Sequence, residues 1–375
     1  MLVNFNEPYL SGNEFQNIAD AVNSKMLAGN GKYTKLCQNY FQEKYNFRKC
    51  LLTTSCTDAL EMAAILLNIK EGDEVIMPSY TFVSTANAFI LRGAKIIFVD
   101  SRIDLPGIDE DKIESLITNK TKVIVPVHYA GIACDMDKIM ALANQYGLFV
   151  VEDAAQAIDG YYTGKDGKKK ALGSIGHFSA FSFHETKNII SGEGGMLIIN
   201  DSSFIERAEI IWEKGTNRSS FYRGEVDKYG WIDVGSSFLP SEIIAAFLWA
   251  QLESMESIQN KRKELWDLYF TKLRKWSIDK GISLPKVPSY STNNAHIFYL
   301  LCKNNKQRTA LLSFLKDEKV IAVFHYLSLH SSTFYSSKYL GDDLIQSDKY
   351  SECLIRLPLY YNVDIDRVID AIVRF

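Results

Sequence analysis

The sequence predicts an α/β fold, with a large domain built on a mostly parallel sheet and a smaller C-terminal α+β domain. Short apolar runs recur along the first half of the chain, and most are separated by stretches with helical spacing, such as residues 113–117 and 136–143. The runs KIIFVD and KVIVPVH are almost continuously apolar, as expected of strands buried on both faces of a parallel sheet. We therefore predict strands at residues 74–77, 95–99, 122–127, 148–151, 178–183 and 196–199.

The alternation of short apolar runs and helical stretches ends near Ser241. Residues 241–273 predict one long helix, apolar in its first half and charged in its second, that leaves the large domain. Beyond it, the runs HIFYLLC and AVFHYL predict strands and the run RTALLSFLKDE predicts a helix. We expect a large domain over residues 1–250 and a small C-terminal domain over residues 251–375.

Composition predicts a globular protein and argues against nucleic-acid-binding, membrane-spanning and metal-binding proteins. The chain has 375 residues and 47% hydrophobic content, enough for two packed domains of about 150 residues each. Its 42 Lys+Arg and 45 Asp+Glu leave a net charge of −3, so we expect no nucleic-acid partner. The first residues do not resemble a secretory signal, and the apolar stretch 75–91 contains Pro78 and Asn87, so we expect a cytoplasmic protein without a membrane span. Six scattered cysteines form no C-x-x-C pair, and we expect reduced thiols and no metal site.

The first segment with candidate chemistry is TTSCTDALEMAAILL. Ser55 and Asp58 form a capping box before an apolar helical run, so a helix should begin near Cys56 and Thr57. Its free N–H groups and dipole favour an anion, and the hydroxyls of Ser55 and Thr57 are further donors. Capped helices are also common where no ligand binds, and this segment alone leaves both interpretations open.

The second segment is FVVEDAAQ, an apolar strand that ends in Glu152, Asp153 and Gln156. Ligands of parallel sheets bind at the carboxyl ends of the strands, where these side chains should lie. A carboxylate here could simply cap the next helix. Alternatively, a buried aspartate could face the nitrogen of a pyridine ring and keep it protonated.

The third segment is HFSAFSFHETKNIISGEGGMLIIN. Lys187 is its only lysine, in a loop between predicted strands, where desolvation would lower its pKa and favour the nucleophilic neutral amine. A lone lysine is more often a surface charge. The glycines Gly192, Gly194 and Gly195 could permit close approach of a ligand or form a tight hairpin.

Together, these segments place an anion site, an acid and a reactive lysine in order along one parallel sheet, which is what pyridoxal phosphate requires. The resemblance to a known family rests on GDEVIMPSYTFVSTANAFILRGAKIIFVD, VIVPVHYAG, VVEDAAQ, FSFHETKN and GEGG. These segments resemble the DegT/StrS sugar-nucleotide aminotransferases. The resemblance implies the type I fold of pyridoxal-phosphate-dependent transferases, as in aspartate aminotransferase, with pyridoxal 5′-phosphate as cofactor. It also implies a homodimer with active sites at the subunit interface.

The resemblance implies roles for individual residues. Lys187 would form the Schiff base with the cofactor and move the proton. Asp153 would face the pyridine nitrogen, Gln156 would bond the ring hydroxyl, and Phe82 would stack on the ring. From the residues alone, Phe82 is about equally well explained as a core aromatic.

The phosphate-binding positions of the family match Cys56, Thr57 and Ser182. One position departs from the family pattern. Where the family usually has G-x-N-x-R, whose asparagine reaches the phosphate in the partner subunit, this chain has GSSFLPSE with Ser237. A serine can donate one hydrogen bond, but its reach is shorter.

The segments TSCT, PSYTFVSTANAF, SFHETKN, EKGTNRS, RGEVDKY and GSSFLPS resemble one subgroup most closely, the dTDP-4-amino-4,6-dideoxygalactose transaminases of enterobacterial common antigen synthesis. The substrates implied are dTDP-4-dehydro-6-deoxyglucose and L-glutamate. His325 and His330 match a family segment near the sugar, with Ser328 in place of a proline; from the residues alone, lone histidines are more often structural. Donors suited to a diphosphate occur at Lys214, Asn217, Arg218 and Arg223, although a charged loop of this kind is equally well explained as a solvated surface.

Several alternatives remain open from the sequence. The product could have the gluco configuration at C4, and the substrate could be a 3-keto or a UDP-linked sugar. Some family members are dehydratases with histidine in place of the lysine, but this chain has Lys187. A cofactor-binding or sugar-binding regulatory protein without catalysis is the non-enzymatic alternative.

Overall fold

A seven-stranded sheet forms the centre of the larger part of the molecule. The computed structural model describes residues 2–375. The first nine strands are β1 (Lys49–Thr53), β2 (Glu74–Pro78), β3 (Lys95–Val99), β4 (Thr121–Ile124), β5 (Phe149–Asp153), β6 (Tyr161–Thr163), β7 (Lys169–Ala171), β8 (Phe178–Ser182) and β9 (Gly195–Ile199). The large sheet has the order β1-β9-β8-β5-β4-β2-β3, and β6 and β7 form a separate antiparallel pair.

The sheet is mostly parallel, as predicted. Only β9 runs against its neighbours, since it pairs antiparallel with both β1 and β8 while the other pairs are parallel. The six predicted strands all occur, within a few residues of their predicted ends. The additional strand β1 lies at the edge of the sheet and was not predicted, because its short run leads directly into a helix.

Helices cover both faces of the large sheet. They are α1 (Glu14–Asn23), α2 (Lys32–Tyr45), α3 (Cys56–Leu66), α4 (Val83–Ile90), α5 (Met136–Tyr146), α6 (Ile205–Trp212) and α7 (Arg218–Tyr222). The predicted helix at 136–143 corresponds to α5. The predicted helix at 113–117 is wrong, because this segment forms only short 3-10 turns, Glu110–Lys112 and Glu114–Leu116.

The long helix predicted from residue 241 is divided in two. Helix α8 (Glu242–Glu253) ends at Ser254, and α9 (Met255–Lys280) follows. Met255 and Ile258 at the start of α9 pack into the core beneath the large sheet. The apolar residues of α9 from Leu265 onward pack into a second core. The division of the chain at residue 250 stays a prediction.

The second core belongs to the C-terminal part of the chain. It contains β10 (Phe298–Leu301), α10 (Asn305–Asp317), α11 (Ile345–Cys353), β11 (Leu354–Leu357) and α12 (Ile365–Arg374). Strands β10 and β11 form an antiparallel pair. The strand predicted at AVFHYL is wrong, since only Val323 in this run makes a β-bridge, to Arg356. His325 and Tyr326, which follow, are held by side chains of the larger part. No helix in the 2–375 range is both long and apolar enough to cross a membrane.

The start of α3 lies directly against β9, and a glycine makes this approach possible. A Cβ on Gly195 would lie 2.3 Å from the backbone nitrogen of Cys56 and 2.3 Å from the carbonyl carbon of Ser55. Both neighbours are backbone atoms and cannot move aside as a side chain would. Gly195 therefore serves the packing of α3 on β9, and neither close approach of a ligand nor a tight hairpin explains it.

Replacing Gly195 with alanine should destabilise the fold by about 1–3 kcal/mol or more, because the new methyl group overlaps the first turn of α3. Urea unfolding of the cofactor-free protein measures this change, and the affinity for pyridoxal phosphate should fall with it. Gly230→Ala is the matched control, since a Cβ there meets no atom within 4 Å. Equal stability of the two variants would contradict the proposed packing.

Candidate active site

Lys187 lies in the loop that joins β8 to β9. The base of the loop is closed by backbone hydrogen bonds from Phe183 N to Gly194 O (2.8 Å) and from Ser191 N to Phe183 O (2.7 Å). Gly192 has φ of +80°, a conformation that favours glycine. The sequence places Lys187 here because the chain must reverse between two antiparallel neighbours, and this reversal presents the lysine at the carboxyl end of β8.

The Lys187 side chain is half-buried, and no carboxylate of residues 2–375 pairs with it. Burial lowers its pKa below the ordinary lysine value, while Cys56 and the negative charge of Asp153 act in the opposite direction. The positive charge of Arg356 lowers the pKa further. The structure thus brings Lys187, Cys56 and Asp153 together, and it enriches the neutral amine that a nucleophile requires.

Asp153 is the last residue of β5 and is only 6% exposed. Its Oδ2 accepts a hydrogen bond from Thr85 Oγ1 at 2.7 Å, and its Oδ1 accepts one from Ala155 N at 3.1 Å. Thr85 Oγ1 also lies 3.0 Å from Thr81 Oγ1. These bonds fix the orientation of the carboxylate.

Gln156 lies three residues beyond Asp153 and is also buried. Its Oε1 accepts from Ala130 N at 2.6 Å, and its Nε2 donates to the hydroxyl of Tyr326 at 2.8 Å. Both polar ends of the side chain are therefore engaged. Tyr326 comes from the C-terminal part of the chain, so Gln156 joins the two parts beside Asp153.

The first turn of α3 offers free donors. Ser55 Oγ accepts from Asp58 N at 3.0 Å, which confirms the predicted cap. Among residues 2–375, the backbone nitrogens of Cys56 and Thr57 donate no hydrogen bond. Thr57 Oγ1 donates to Ser84 Oγ at 2.8 Å. Unpaired backbone amides at a helix start suit a phosphate group.

Ser182 and Phe82 border the same region. Ser182 ends β8 opposite Gly195, whose backbone touches Cys56. Phe82 precedes α4 and is 54% exposed, which excludes its interpretation as a core aromatic. Its ring centroid lies 6.0 Å from that of Tyr326. An exposed aromatic face beside Gln156 and its partner Tyr326 can stack on a planar ring.

The two predicted sugar-side histidines have different surroundings. His325 Nδ1 lies 2.7 Å from the hydroxyl of Tyr129, and its ring stacks on Tyr326 with centroids 3.6 Å apart. His325 therefore lies beside the cluster around Lys187. His330 is buried, with Nδ1 2.8 Å from Ser79 Oγ, and these contacts attach its loop to the end of β2.

The four predicted diphosphate donors do not join this cluster within one chain. Arg223 pairs with Glu209 and Glu225, and Asn217 accepts from the backbone nitrogen of Gly230. Arg218 stacks on Tyr222. Lys214 and Ser237 are exposed. Within the chain that the structure describes, no hydrogen bond or ion pair joins Lys214, Asn217, Arg218, Arg223 or Ser237 to Lys187, Asp153 or Gln156.

A model of the DegT/DnrJ/EryC1/StrS aminotransferase family matches residues 8–373. The chain belongs to this family.

Two kinds of relative support the family assignment. The GDP-perosamine synthase of Escherichia coli O157:H7 is 32% identical over 337 residues, which cover 89% of this chain and 87% of that protein. The aminotransferase TlmJ from Streptoalloteichus hindustanus has 26% identity and a TM-score of 0.89, with 100% of this chain and 98% of that chain covered. A putative sugar aminotransferase from Streptococcus pneumoniae, solved in its PLP form, has 24% identity, a TM-score of 0.88 and coverage of 100% and 98%, and shows the shared fold.

As a DegT/DnrJ/EryC1/StrS aminotransferase, the chain has the predicted type I fold and is a sugar aminotransferase that depends on pyridoxal phosphate. The predictions of fold class, enzyme and cofactor are confirmed. The regulatory alternative without catalysis is set aside. The predicted similarity to the dTDP-aminogalactose subgroup stays a prediction.

The site fits the cofactor of this family. The free amides of Cys56 and Thr57 suit its phosphate, and the buried Asp153 suits its ring nitrogen. Bound pyridoxal phosphate supplies an electron sink that stabilises negative charge on the amino-bearing carbon. The residues of the chain have to hold the ring, keep its nitrogen protonated and move a second proton, the one at the amino-bearing carbon.

Sequence reasoning missed a buried polar network next to Lys187. Asn188 Nδ2 donates to Gln259 Oε1 (2.8 Å) and to Asn294 O (2.9 Å), and Asn188 Oδ1 lies 2.8 Å from His296 Nδ1. The network attaches the lysine loop to α9 and to the segment before β10. Its members lie far apart in the sequence, and only the adjacency of Asn188 to Lys187 could have indicated one of them.

Two histidines of this region should make the protein less stable in acid. Burial, helped by the charges of Lys187 and Arg356, lowers the pKa values of His296 and His325 well below normal. Below about pH 6.5 the unfolded chain binds protons that the folded chain does not. The free energy of unfolding should therefore fall with decreasing pH, by at most about 1.4 kcal/mol per pH unit for each histidine.

Urea unfolding of the cofactor-free protein between pH 7 and pH 5 tests this dependence. In His325→Asn, whose side-chain oxygen can still accept from Tyr129, the slope should be smaller than in the unmodified chain. Above pH 7 the slopes should agree. Identical slopes in acid would show that His325 is not the group that titrates.

Proposed function

We propose that the protein transfers the amino group of L-glutamate to C4 of dTDP-4-dehydro-6-deoxy-D-glucose, forming dTDP-4-amino-4,6-dideoxy-D-galactose and 2-oxoglutarate. The observation that carries the transamination is the meeting of Lys187, Asp153 and the first turn of α3 at the carboxyl ends of β5 and β8. The family uses a nucleotide sugar and a glutamate-type amino donor. The dTDP-4-keto sugar is supported by the subgroup resemblance of TSCT, SFHETKN and GSSFLPS.

Lys187 is the proposed covalent attachment point and proton carrier. Its depressed pKa makes the neutral amine accessible near neutral pH, and the same amine can then take and return a proton at the amino-bearing carbon. Asp153, held by Thr85 and Ala155, keeps the ring nitrogen protonated. Its charge is buried, so it acts on the ring without much screening by water.

The remaining cofactor contacts follow from the same surface. Gln156 would bond the ring hydroxyl of the cofactor, and the exposed ring of Phe82 would stack on one face of it. Cys56, Thr57 and Ser182 would hold the phosphate through amide and hydroxyl donors. His325 and Tyr326 then lie on the sugar side of the site, since both contact this cluster from the C-terminal part.

In the proposed assembly, the diphosphate donors come from a second copy of the chain. Segment 214–237 carries Lys214, Asn217, Arg218, Arg223 and Ser237, yet within residues 2–375 it makes no hydrogen bond or ion pair with the proposed cofactor residues of its own chain. Several apolar residues of this segment are exposed, and Trp231 is 84% exposed. A homodimer would cover them and bring the donors to the active site of the partner subunit.

Incubation with dTDP-4-dehydro-6-deoxyglucose, glutamate and pyridoxal phosphate tests the reaction. Formation of 2-oxoglutarate together with an amino sugar is expected, and NMR of the C4 proton identifies the product. In the galacto product the C4 proton is equatorial and its couplings are small, whereas in the gluco product the couplings are large.

Parallel reactions test the nucleotide and the keto position. UDP-linked and GDP-linked 4-keto sugars and a dTDP-linked 3-keto sugar should react more slowly than the dTDP-linked 4-keto sugar. The GDP-linked sugar is included because a GDP-perosamine synthase is 32% identical. Faster turnover of any of them would replace the proposed substrate while leaving the aminotransferase assignment intact.

A further inference from the structure

Asn188, the residue after Lys187, is buried and hydrogen-bonded at both polar ends of its side chain. It is only 4% exposed. Its Nδ2 donates to Gln259 Oε1 (2.8 Å) and to Asn294 O (2.9 Å), and its Oδ1 lies 2.8 Å from His296 Nδ1. Because water has little access to this side chain, each lost hydrogen bond would leave a buried polar group unpaired. The side chain of Asn188 therefore fixes the backbone next to Lys187.

Asn294 extends these contacts to the segment that follows β5. Its Nδ2 donates to the carbonyl oxygens of Gln156 (2.7 Å) and Ile158 (2.8 Å), and its Oδ1 accepts from His296 N (3.1 Å). Asn294 is completely buried. Its own carbonyl oxygen accepts from Asn188, so two hydrogen bonds in series connect Asn188 to Gln156. They join the lysine loop to the residue proposed to bond the ring hydroxyl of the cofactor.

A glycine gives Asn294 room beside the turn that holds the Gln156 side chain. Gly131 has φ of +75°, and a Cβ there would lie 1.8 Å from Asn294 Oδ1. The preceding residue, Ala130, donates its N–H to Gln156 Oε1 at 2.6 Å. Asn294 thus bonds the backbone of Gln156 and packs against the turn that orients its side chain. Both the position and the orientation of Gln156 depend on this one buried amide.

Lys187 needs support of this kind because its own side chain is long and flexible. Lys187 and Asn188 line one pocket, and Asn188 is the anchored member of the pair. In a pyridoxal-phosphate enzyme the lysine amine must reach one carbon of a ring that other residues hold. Displacement of a reacting group by about 1 Å can cost about 100-fold in rate. The distance from the lysine backbone to the residues that hold the ring is therefore one that the fold has to control.

We propose that Asn188 and Asn294 are positioning residues that fix the distance between Lys187 and Gln156, so that the lysine amine meets the aldehyde carbon of the bound cofactor. The assignment rests on the proposed roles of Lys187 and Gln156 in holding pyridoxal phosphate. In the attachment step the amine nitrogen bonds the aldehyde carbon, and the aldehyde oxygen leaves as water. Asn188 and Asn294 take no part in that bond and act through the backbone that they hold.

Two forms of the cofactor test the role of Asn188 without turnover. Pyridoxal phosphate can bond Lys187, whereas pyridoxamine phosphate has the same ring, hydroxyl and phosphate but carries an amine in place of the aldehyde. Asn188→Ala should weaken binding of pyridoxal phosphate to the cofactor-free protein by about 10- to 100-fold. The affinity for pyridoxamine phosphate should change by less than about 3-fold, because its contacts do not include a bond to the lysine. The absorbance band of the lysine-bound cofactor should also appear more slowly after mixing.

Asn294→Ala should weaken binding of both forms, because it releases Gln156 as well as the lysine loop, and the loss should be larger for pyridoxal phosphate. Asn200→Ala is the matched control. Asn200 Nδ2 also donates to two backbone carbonyls, those of Gly173 (2.9 Å) and Gly176 (2.8 Å), and in residues 2–375 it makes no hydrogen bond to Asn188 or Asn294. Its loss should reduce stability to urea without separating the affinities for the two cofactor forms.

Equal losses for the two forms in Asn188→Ala would overturn the proposal, because a purely structural role weakens both alike, and so would the absence of any loss. If Asn188→Ala does not fold, Gln259→Met decides the same question, since it removes one partner of Asn188 and keeps the length of the side chain. It should weaken pyridoxal phosphate binding more than pyridoxamine phosphate binding.

Failure of the proposed function would give different results. If the lysine-bound absorbance band persists in Lys187→Ala, the proposed role of Lys187 is wrong. If the unmodified enzyme forms no 2-oxoglutarate from glutamate, the proposed reaction is wrong. The comparison of the two affinities requires no turnover, so it tests the positioning role of Asn188 separately from the reaction.

Discussion

Lys187→Ala should abolish amino transfer, lowering the turnover of both half-reactions by more than about 10⁴-fold. The variant loses the nucleophile that bonds the cofactor and the only amine of the cluster that can carry the proton. It should also lose the absorbance band of the lysine-bound cofactor. The fold should persist, because Lys187 makes no ion pair in residues 2–375 and its half-buried side chain supports no described hydrogen bond.

Lys165→Ala is the matched control, since Lys165 is exposed in the turn between β6 and β7. Single-turnover measurements with glutamate and with the keto sugar separate the two half-reactions. Added alkylamines could restore part of the activity by replacing the missing amine. Retention of substantial turnover in Lys187→Ala without added amine would show that another group moves the proton.

Asp153→Asn should lower turnover by roughly 10²- to 10⁴-fold while largely preserving the fold. The asparagine can still accept from Ala155 N, and its amide can donate to Thr85 Oγ1, so the local geometry is retained. What is lost is the negative charge that would hold a proton on the ring nitrogen. Both half-reactions should slow, because each needs the same electron sink.

A second measurement on Asp153→Asn does not depend on turnover. The charge of Asp153 raises the pKa of Lys187 against the effect of burial, so its removal should lower that pKa further. In the cofactor-free protein, acylation of Lys187 should then begin at lower pH. Asp111→Asn, at an exposed aspartate that pairs with Lys138, should leave both properties unchanged. If acylation of Lys187 begins at the same pH in Asp153→Asn as in the unmodified chain, the carboxylate acts only as a structural group.

Much of the fold was predictable because apolar strand runs and helix caps are patterns of a few consecutive residues. Strands buried on both faces of a parallel sheet must be apolar along their length, and the runs at β3 and β4 show this. The capping box at Ser55 specified the start of α3 because the cap is formed by residues three positions apart. The wrong strand prediction at residues 322–327 falls where residues distant in the sequence determine the local structure. Residues 322–327 do not form a strand, because side chains of the larger part hold His325 and Tyr326.

The sequence by itself determined the chemistry of Lys187, Asp153 and the α3 start, since each lies in a motif of a few consecutive residues. Only the tertiary structure revealed how Thr85 orients Asp153, how Asn188 is held by His296, and how burial lowers the pKa of Lys187. The physical reason is distance along the chain. His325 and Tyr326 are brought to Tyr129 and Gln156 by packing of the C-terminal part on the larger part, and no local sequence pattern encodes contacts between residues about 170 to 200 positions apart.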